Sequence, residues 1–223
     1  MKLSNLCWLL VGVALVGCAG QPALEPEVYG KALFTQTSLY LGPQAEQAEL
    51  RLAGNNLNCS SCHLNEGKSL TAMGFAGIVA RYPHYRALEN RKISLEERIQ
   101  SCFERSLNGQ ALPQNETQAL HAYIRKLSAE PTAPGSKDVL LPDIDLLERA
   151  AEPEAGKKLY AYHCAACHGI TGAGLLRDAQ KPQQGYTFPP VWGPDSYGQG
   201  SNLNRLIIAA RYIKANMPLG RPV

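Results

Sequence analysis

The stretch Cys59-Ser60-Ser61-Cys62-His63 decides the fold, because the same pattern returns as Cys164-Ala165-Ala166-Cys167-His168. Both stretches read Cys-x-x-Cys-His, the attachment motif of c-type haem. In this motif two thiols bond to the haem vinyl groups, and the histidine that follows supplies the proximal iron ligand. One copy could arise by chance, but two copies predict two covalently bound haem c groups. The predicted attachment residues and iron ligands are Cys59, Cys62, His63, Cys164, Cys167 and His168.

Other uses of these cysteines explain the pattern less well. A zinc site would need further ligands at the usual spacing, and the remaining histidines and Cys102 do not offer it. A disulfide framework would not explain a histidine after both pairs. The chain has 223 residues, of which 45% are hydrophobic and 18% charged, with a formal net charge of +3. This composition supports one or two modest cores and predicts no nucleic-acid partner.

The N-terminus has the features of an export signal. Lys2 precedes an apolar run over residues 6–16, which is shorter than the roughly 20 residues that a membrane-spanning helix needs and fits the apolar region of a secretory signal. Leu15-Val16-Gly17-Cys18 resembles a bacterial lipobox, which implies that Cys18 is lipidated. We therefore predict a signal peptide over 1–17, a tether over 18–27 and lipid anchoring to a membrane in the bacterial periplasm, while an ordinary signal peptide stays an alternative.

The remaining sequence predicts an all-α fold of two class I cytochrome c-like domains joined by a linker. Apolar spacing predicts helices over 28–41, 116–127 and 201–215, and a helix that leads into Cys164. Pro131 and the Pro- and Gly-containing stretch after it interrupt the pattern. The predicted domains are 28–130 and 151–223, with a linker over 131–150. A class I fold adds a helix after its distal methionine, so the second domain could be incomplete or closed in another way.

The sixth iron ligand of the second haem is predicted from position. Met217 follows His168 by 49 residues and precedes a proline, which is the usual place of a distal methionine. We therefore predict a His168/Met217 pair. A methionine that only packs in the core and a competing Lys214 are the alternatives.

The first haem has no comparable methionine. Met73 follows His63 by only ten residues and is interpreted as core packing, which leaves Cys102 as the soft ligand. Ser94 to Glu97 form a capping box and Gly109 is a natural stop, so we predict a helix over 94–108. On this helix Arg98, Cys102 and Ser106 share one face. An inert thiol or an intermolecular disulfide are the alternatives for Cys102.

Three runs of sequence carry a resemblance to a known family. Residues 82–86, 95–109 and 188–197 resemble the dihaem thiosulfate dehydrogenases, which form tetrathionate. The resemblance implies that His63 and Cys102 ligate a catalytic haem, that Arg86, Arg98 and Ser106 surround the substrate, and that a His168/Met217 haem relays electrons. Some members place lysine directly before that methionine, whereas Asn216 stands here.

The resemblance implies an enzyme that oxidises two thiosulfates to tetrathionate and passes electrons to a cytochrome or another redox acceptor. Two alternatives stay open at this point. One is a dihaem electron-transfer lipoprotein without catalysis, in which Cys102 is structural. The other is a Sox-type haem subunit, which joins thiosulfate to a carrier protein.

Overall fold

The computed structural model describes residues 24–131, 141–145 and 148–220. The predicted signal peptide, the predicted lipidation site Cys18 and most of the predicted tether therefore lie outside the described residues, as does part of the predicted linker. Among the described residues, no helix is both long enough and apolar enough to cross a membrane. The five described cysteines are free of disulfides.

The first domain is mainly helical and contains one short hairpin that the sequence patterns did not predict. Its hairpin is antiparallel and pairs His84 with Ile93. The described regular elements are α1 (Pro26–Thr35), α2 (Thr37–Leu41), β1 (His84–Arg86), β2 (Arg91–Ile93), α3 (Leu95–Ser106) and α4 (Gln114–Ala129).

The first helix is broken where the sequence predicts one continuous helix over 28–41. Gln36 lies between α1 and α2 with φ −133° and ψ 39°, outside helical geometry. The Thr37 hydroxyl then donates to the carbonyl of Leu33 at 2.7 Å. The Leu33 carbonyl is the acceptor that the Thr37 backbone N–H would use in a continuous helix. Because the hydroxyl competes for this acceptor, the helix is interrupted here.

The capping box of α3 forms as predicted. Ser94 accepts from the Glu97 amide at 3.1 Å, and the Glu97 carboxylate accepts from the Ser94 amide at 2.8 Å. The helix ends at Ser106, and the residue with left-handed backbone after it is Asn108, with φ +50°, rather than Gly109, which the sequence analysis took as the stop. Asparagine is the commonest residue after glycine at this position.

The core of the first domain lies between α1 and α4. Gly30 marks their closest approach, because a Cβ built there would lie 1.8 Å from the Ala119 carbonyl oxygen. Leu33 and Phe34 follow on the buried face of α1, with exposed fractions of 0% and 2%. The cluster of buried residues contains Leu33, Phe34, Leu41, Ala53, Leu57, Phe103, Leu107, Leu112, Ala119, Leu120, Tyr123 and Leu127.

The second domain has shorter elements and more irregular chain. Its helix α5 carries Gly156-Lys157-Lys158-Leu159-Tyr160, which parallels residues 30–34 of α1. Leu159 is nevertheless 59% exposed, and α5 buries none of its own residues within the described structure. The described regular elements are α5 (Pro153–His163), α6 (Ala165–His168), β3 (Leu175–Leu176), β4 (Tyr186–Phe188) and α7 (Leu206–Asn216).

A loop of the second domain, residues 195–201, packs on the first domain and is called the docking loop below. Asp195 accepts from the backbone amide of Asn56 at 2.9 Å, and the Ser196 carbonyl accepts from the Asn55 side chain at 3.0 Å. Gly198 and Gly200 then pass close to the end of α3. A Cβ on Gly198 would lie 2.4 Å from the Arg105 carbonyl oxygen, so the approach requires glycine.

Helix α7 forms a second connection between the domains. The sequence predicts this helix from residue 201, but it begins at Leu206, after a 3₁₀ turn over Asn202–Asn204. The Tyr212 hydroxyl donates to the Cys62 carbonyl at 2.9 Å. The Asn216 amide donates to the Thr71 carbonyl at 3.0 Å, and its oxygen accepts from the Thr71 hydroxyl at 2.9 Å.

We expect Tyr212→Phe to lower the free energy of unfolding by about 1 kcal/mol, because a buried carbonyl loses its donor. Tyr212 is 6% exposed. Tyr162→Phe is the matched control, because Tyr162 is 83% exposed and its replacement should change stability by less than about 0.5 kcal/mol. Denaturant unfolding of the two haem-loaded variants measures the difference. Equal stabilities would show that the Tyr212 hydrogen bond does not hold the domains together.

Candidate active site

The predicted proximal ligand His63 lies two residues after the 3₁₀ turn Cys59–Ser61. Its Nδ1 lies 2.7 Å from the Met73 carbonyl oxygen. Because a carbonyl only accepts, Nδ1 carries the proton, and Nε2 is left with its lone pair. Phe75 stacks on the imidazole with ring centroids 4.7 Å apart, and Phe34 lies at 6.1 Å. The ring is therefore held in one orientation.

Met73 contributes through its backbone rather than through its sulfur. Its φ of +55° is unusual for a residue with a side chain, and this conformation accompanies the orientation of its carbonyl toward His63. The sequence analysis interpreted Met73 as core packing and did not predict this contact, because a backbone acceptor leaves no signal in residue type.

His168 repeats the arrangement in the second domain. It ends α6, and its Nδ1 lies 2.7 Å from the Pro189 carbonyl oxygen. Phe188 lies edge-on to the imidazole at 6.5 Å. Because this carbonyl only accepts, Nδ1 of His168 carries the proton, and Nε2 keeps a lone pair that can bind a metal.

Both sites fit a covalently bound haem c. In each, two cysteines precede a histidine whose Nδ1 is already hydrogen-bonded to a carbonyl, the arrangement that directs Nε2 of a ligating histidine to its metal. The described residues contain no group of three or more His, Cys, Asp or Glu side chains that could hold a metal ion by themselves. A metal at these sites would therefore come with the porphyrin that the cysteines bind.

The side chain of Cys102 lies next to the side chain of His63. The two side chains lie close enough to influence each other's charge, and Cys59 and Cys62 lie close enough for their charges to interact with the Cys102 sulfur. Because Nδ1 of His63 is used by Met73, the nitrogen directed at Cys102 is Nε2. The predicted iron ligands of the first haem, one on α3 and one after the attachment cysteines, are thus brought together.

The surroundings of Cys102 favour its thiolate. Burial alone would raise the pKa of this thiol, but its neighbours His63, Arg98 and Ser106 together outweigh burial, and the pKa falls to about 6. Desolvation raises the pKa values of Cys59 and Cys62 to about 12, although the hydrogen bond with Thr37 acts in the opposite direction on Cys59. Of these three cysteines of the first domain, the acidic one is therefore Cys102, which lies outside the attachment motif.

Two predicted arginines lie on the same side as Cys102. Arg98 is hydrogen-bonded to Tyr82, and Tyr82 lies within electrostatic range of both Arg86 and Cys102. Arg86 pairs with Glu89 at 3.1 Å, with exposed side-chain fractions of 15% and 21%. The group therefore combines two guanidinium groups with one carboxylate. The sequence analysis gave no role to Tyr82 or Glu89, although residues 82–86 are among those that carry the family resemblance.

Ser106 completes the predicted group. Its hydroxyl lies 3.8 Å from the Cys102 sulfur and 3.3 Å from the hydroxyl of Ser201 on the docking loop. Ser201 is 7% exposed. The sequence analysis missed Ser201, because sequence spacing does not reveal which residues of one domain reach into the other.

The predicted distal ligand of the second haem is the residue after α7. Met217 is half-buried, Asn216 before it is buried and hydrogen-bonded to Thr71, and Lys214 is exposed. The described hydrogen bonds of Asn216 and Tyr212 connect this segment to the first domain. The roles of Met217 as ligand and of Lys214 as its competitor stay predictions.

Two family models match this chain. Residues 51–132 match the model described as SoxA/TsdA, cytochrome c domain, and residues 153–217 match the model described as cytochrome c. These matches confirm the predicted pair of cytochrome c domains and, with them, two covalently bound haem c groups.

Curated and solved relatives agree with these models. Thiosulfate dehydrogenase of Stutzerimonas stutzeri is 35% identical over 201 residues, covering 89% of this chain and 63% of that protein. The enzyme of the same name from Allochromatium vinosum is 42% identical over 175 residues, which are 75% of this chain and 63% of that protein. The solved "as isolated" form of thiosulfate dehydrogenase (TsdBA) from Marichromatium purpuratum matches with a TM-score of 0.74 and 33% identity, covering 87% of this chain and 41% of that one.

The chain thus spans 63% of the length of the two curated relatives and 41% of the solved chain. It has two cytochrome c domains and a helix-dominated fold. The chain thus contains a SoxA/TsdA cytochrome c domain followed by a cytochrome c domain, and over these two domains it is similar to thiosulfate dehydrogenases.

Proposed function

We propose that this protein oxidises two thiosulfate ions to tetrathionate at Cys102 and passes the electrons from the first haem domain to the second. The observation that carries the proposal is the position of Cys102, whose sulfur lies 3.8 Å from the Ser106 hydroxyl and next to His63 and Arg98. A structural cysteine would need neither an acidic pKa nor an adjacent guanidinium. An electron carrier would need no reactive thiolate beside its iron ligand.

Thiosulfate carries two negative charges, and joining two such ions requires cations nearby. Two dianions about 5 Å apart repel each other by roughly 3 kcal/mol in water and by roughly 13 kcal/mol at an effective dielectric constant near 20. Arg98 can offset this repulsion with fixed, bidentate donors. Arg86 contributes less net charge because Glu89 pairs with it.

The proposed reaction forms and breaks bonds at the Cys102 sulfur. The thiolate and the outer sulfur of one thiosulfate form a sulfur–sulfur bond, and the pair loses two electrons. The outer sulfur of a second thiosulfate then attacks the thiosulfate sulfur bonded to Cys102, which releases tetrathionate and restores the thiolate. Ser106 lies 3.8 Å from the reacting sulfur and can donate to it.

The bound haem groups supply reversible one-electron acceptance at iron, and two of them match the two electrons released. Thiolate ligation favours a low potential and methionine ligation a higher one. With Cys102 at the first site and Met217 at the second, electrons should therefore move toward the second domain and from there to a redox acceptor. Lys214 is exposed, and we propose that it does not displace Met217. Export to the periplasm and anchoring through Cys18 are likewise proposed from the sequence.

The test uses the haem-loaded protein with thiosulfate and a soluble artificial oxidant. We expect consumption of two thiosulfates for each tetrathionate formed and for each two electrons delivered. Haem reduction by thiosulfate without tetrathionate would contradict the proposed product. Activity only in the presence of an added carrier protein would instead assign the chain to the Sox-type reaction, and no reduction by thiosulfate would leave it as an electron carrier.

We expect Arg98→Gln to lower kcat/KM for thiosulfate by roughly 30-fold, because a charge-assisted contact worth about 2 kcal/mol is lost. Arg91→Gln is the matched control. It removes the same charge from an exposed arginine that pairs with Glu97 at 2.7 Å, and we expect less than a twofold change. Steady-state kinetics across thiosulfate concentrations measure both variants. Equal losses in the two would mean that only the overall charge of the domain matters.

A further inference from the structure

Asn216, the last residue of α7, is held by a residue of the first domain. Its side-chain oxygen accepts from the Thr71 hydroxyl at 2.9 Å, and its side-chain nitrogen donates to the Thr71 carbonyl at 3.0 Å. The same nitrogen donates to the Tyr212 carbonyl at 2.9 Å, one turn earlier in the helix. Because carbonyls only accept, the nitrogen must face these two carbonyls and the oxygen must face the hydroxyl. Asn216 is buried, and its side chain fits this place in one orientation.

Thr71 belongs to a segment that is itself fixed in the first domain. Ala72, which follows it, is buried, and its amide donates to the Ser69 carbonyl at 3.3 Å. The next residue, Met73, directs its carbonyl to Nδ1 of His63 at 2.7 Å. Residues 69–73 therefore bind both the proximal histidine of the first haem and the residue that precedes the proposed ligand of the second.

The position of Met217 depends on the last turn of α7. Met217 follows the helix directly, and its amide donates to the Ile213 carbonyl at 2.8 Å. The ends of helices are where the backbone opens most easily. The two hydrogen bonds between Asn216 and Thr71 oppose this opening, because they hold the last residue of the helix from outside the helix.

We infer that Thr71 is a positioning residue of the first domain that keeps Met217 on the iron of the second haem. The inference rests on the proposed function in so far as Met217 is that ligand. Thr71 acts through Asn216, and the bonds between them form only while the last turn of α7 is in place. The sixth ligand of one haem is then fixed by the domain that carries the other haem.

The test measures how readily imidazole replaces Met217 in the oxidised, haem-loaded protein. Imidazole binds only to molecules in which the methionine has left the iron, so its apparent dissociation constant is inversely proportional to that open fraction. Thr71→Val keeps a side chain of similar shape but removes the hydroxyl, which leaves the Asn216 oxygen without this donor. We expect the dissociation constant to fall about fivefold, the size of one hydrogen bond. Electron paramagnetic resonance follows the titration at the signal of the second haem.

Three further variants control for general damage to the protein. Thr71→Ser keeps the hydroxyl and should bind imidazole as the unsubstituted protein does. Thr35→Val removes a hydroxyl that donates to the Lys31 carbonyl at 2.9 Å within α1, and it should leave the dissociation constant unchanged. Asn216→Ala should lower the constant at least as far as Thr71→Val does, and Thr71→Val should add nothing in that background.

Met217→Ala separates this inference from the proposed ligation. It removes the methionine altogether, so it should give the tightest imidazole binding of the series. Unchanged binding in Met217→Ala would contradict ligation by Met217 and overturn the inference with it. Tighter binding in Met217→Ala, together with equal constants for Thr71→Val and Thr35→Val, would keep Met217 as the ligand and overturn the role of Thr71 alone.

Discussion

Cys102→Ala should abolish thiosulfate oxidation, with turnover falling at least about 1,000-fold, while both haems stay covalently attached. The loss is this large because the substitution removes the atom that forms the bond, as in other enzymes deprived of their nucleophile. Attachment persists because it depends on Cys59, Cys62, Cys164 and Cys167. Electron paramagnetic resonance of the oxidised protein should lose its thiolate-ligated component and keep the signal of the second haem.

Two further variants define what this experiment measures. Cys102→Ser keeps a hydroxyl of similar size but no nucleophilic sulfur and should be as inactive as the alanine variant. Ser101 lies on the same helix but off the face shared by Arg98, Cys102 and Ser106. The control variant Ser101→Ala should therefore keep most of the activity. A Cys102→Ala protein that oxidises thiosulfate at a normal rate would rule out the covalent route and return Cys102 to a structural role.

Gly30→Ala should lower the free energy of unfolding by about 3 kcal/mol, the upper range for overpacking a core. The added methyl carbon would lie 1.8 Å from the Ala119 carbonyl oxygen and 3.0 Å from the Tyr123 Cβ. The first of these contacts is with the backbone of α4. A backbone atom cannot move out of the way by rotating, as a side chain can. The two helices must separate, and Leu33 and Phe34 next to the contact lose packing. Denaturant unfolding measures the change.

Gly156→Ala is the internal control for Gly30→Ala. Gly156 occupies the parallel place in α5, and no atom of the described residues lies within 4 Å of a Cβ built there. Alanine should therefore stabilise the helix by about 0.5–1 kcal/mol, the difference between the two residues in a helix interior. A comparable destabilisation by both substitutions would mean that α5 also packs on a partner at this position.

The candidate site residues could be proposed from the sequence because their signals are local. The two Cys-x-x-Cys-His motifs identify their histidines by adjacency, and the Ser94–Glu97 capping box fixes where α3 begins. Once that start is known, helical spacing puts Arg98, Cys102 and Ser106 on one face. The meeting of Cys102 with His63 also follows from elimination, because the first domain has few soft ligands.

The remaining parts depend on contacts between distant segments. The acceptors of both histidines are backbone carbonyls, of Met73 and Pro189, and any residue type supplies a carbonyl. The helix breaks at Gln36 because the Thr37 hydroxyl competes for the Leu33 carbonyl. The spacing of apolar residues in the sequence carries no information about this competition. Ser201 reaches Ser106 only because Gly198 admits a close approach between domains, and that approach is a property of the folded structure.

Helix α7 also connects the attachment segment of the first haem with the proposed iron ligand of the second. The Tyr212 hydroxyl touches the carbonyl of Cys62, the second attachment residue of the first haem, and Met217 lies five residues further along the same chain. Five residues of helix rise about 7.5 Å. If Met217 is the iron ligand of the second haem, the two haem sites are joined by a short bonded path. The path runs from the Cys62 carbonyl through one hydrogen bond to Tyr212, and then along about a turn and a half of α7 to Met217.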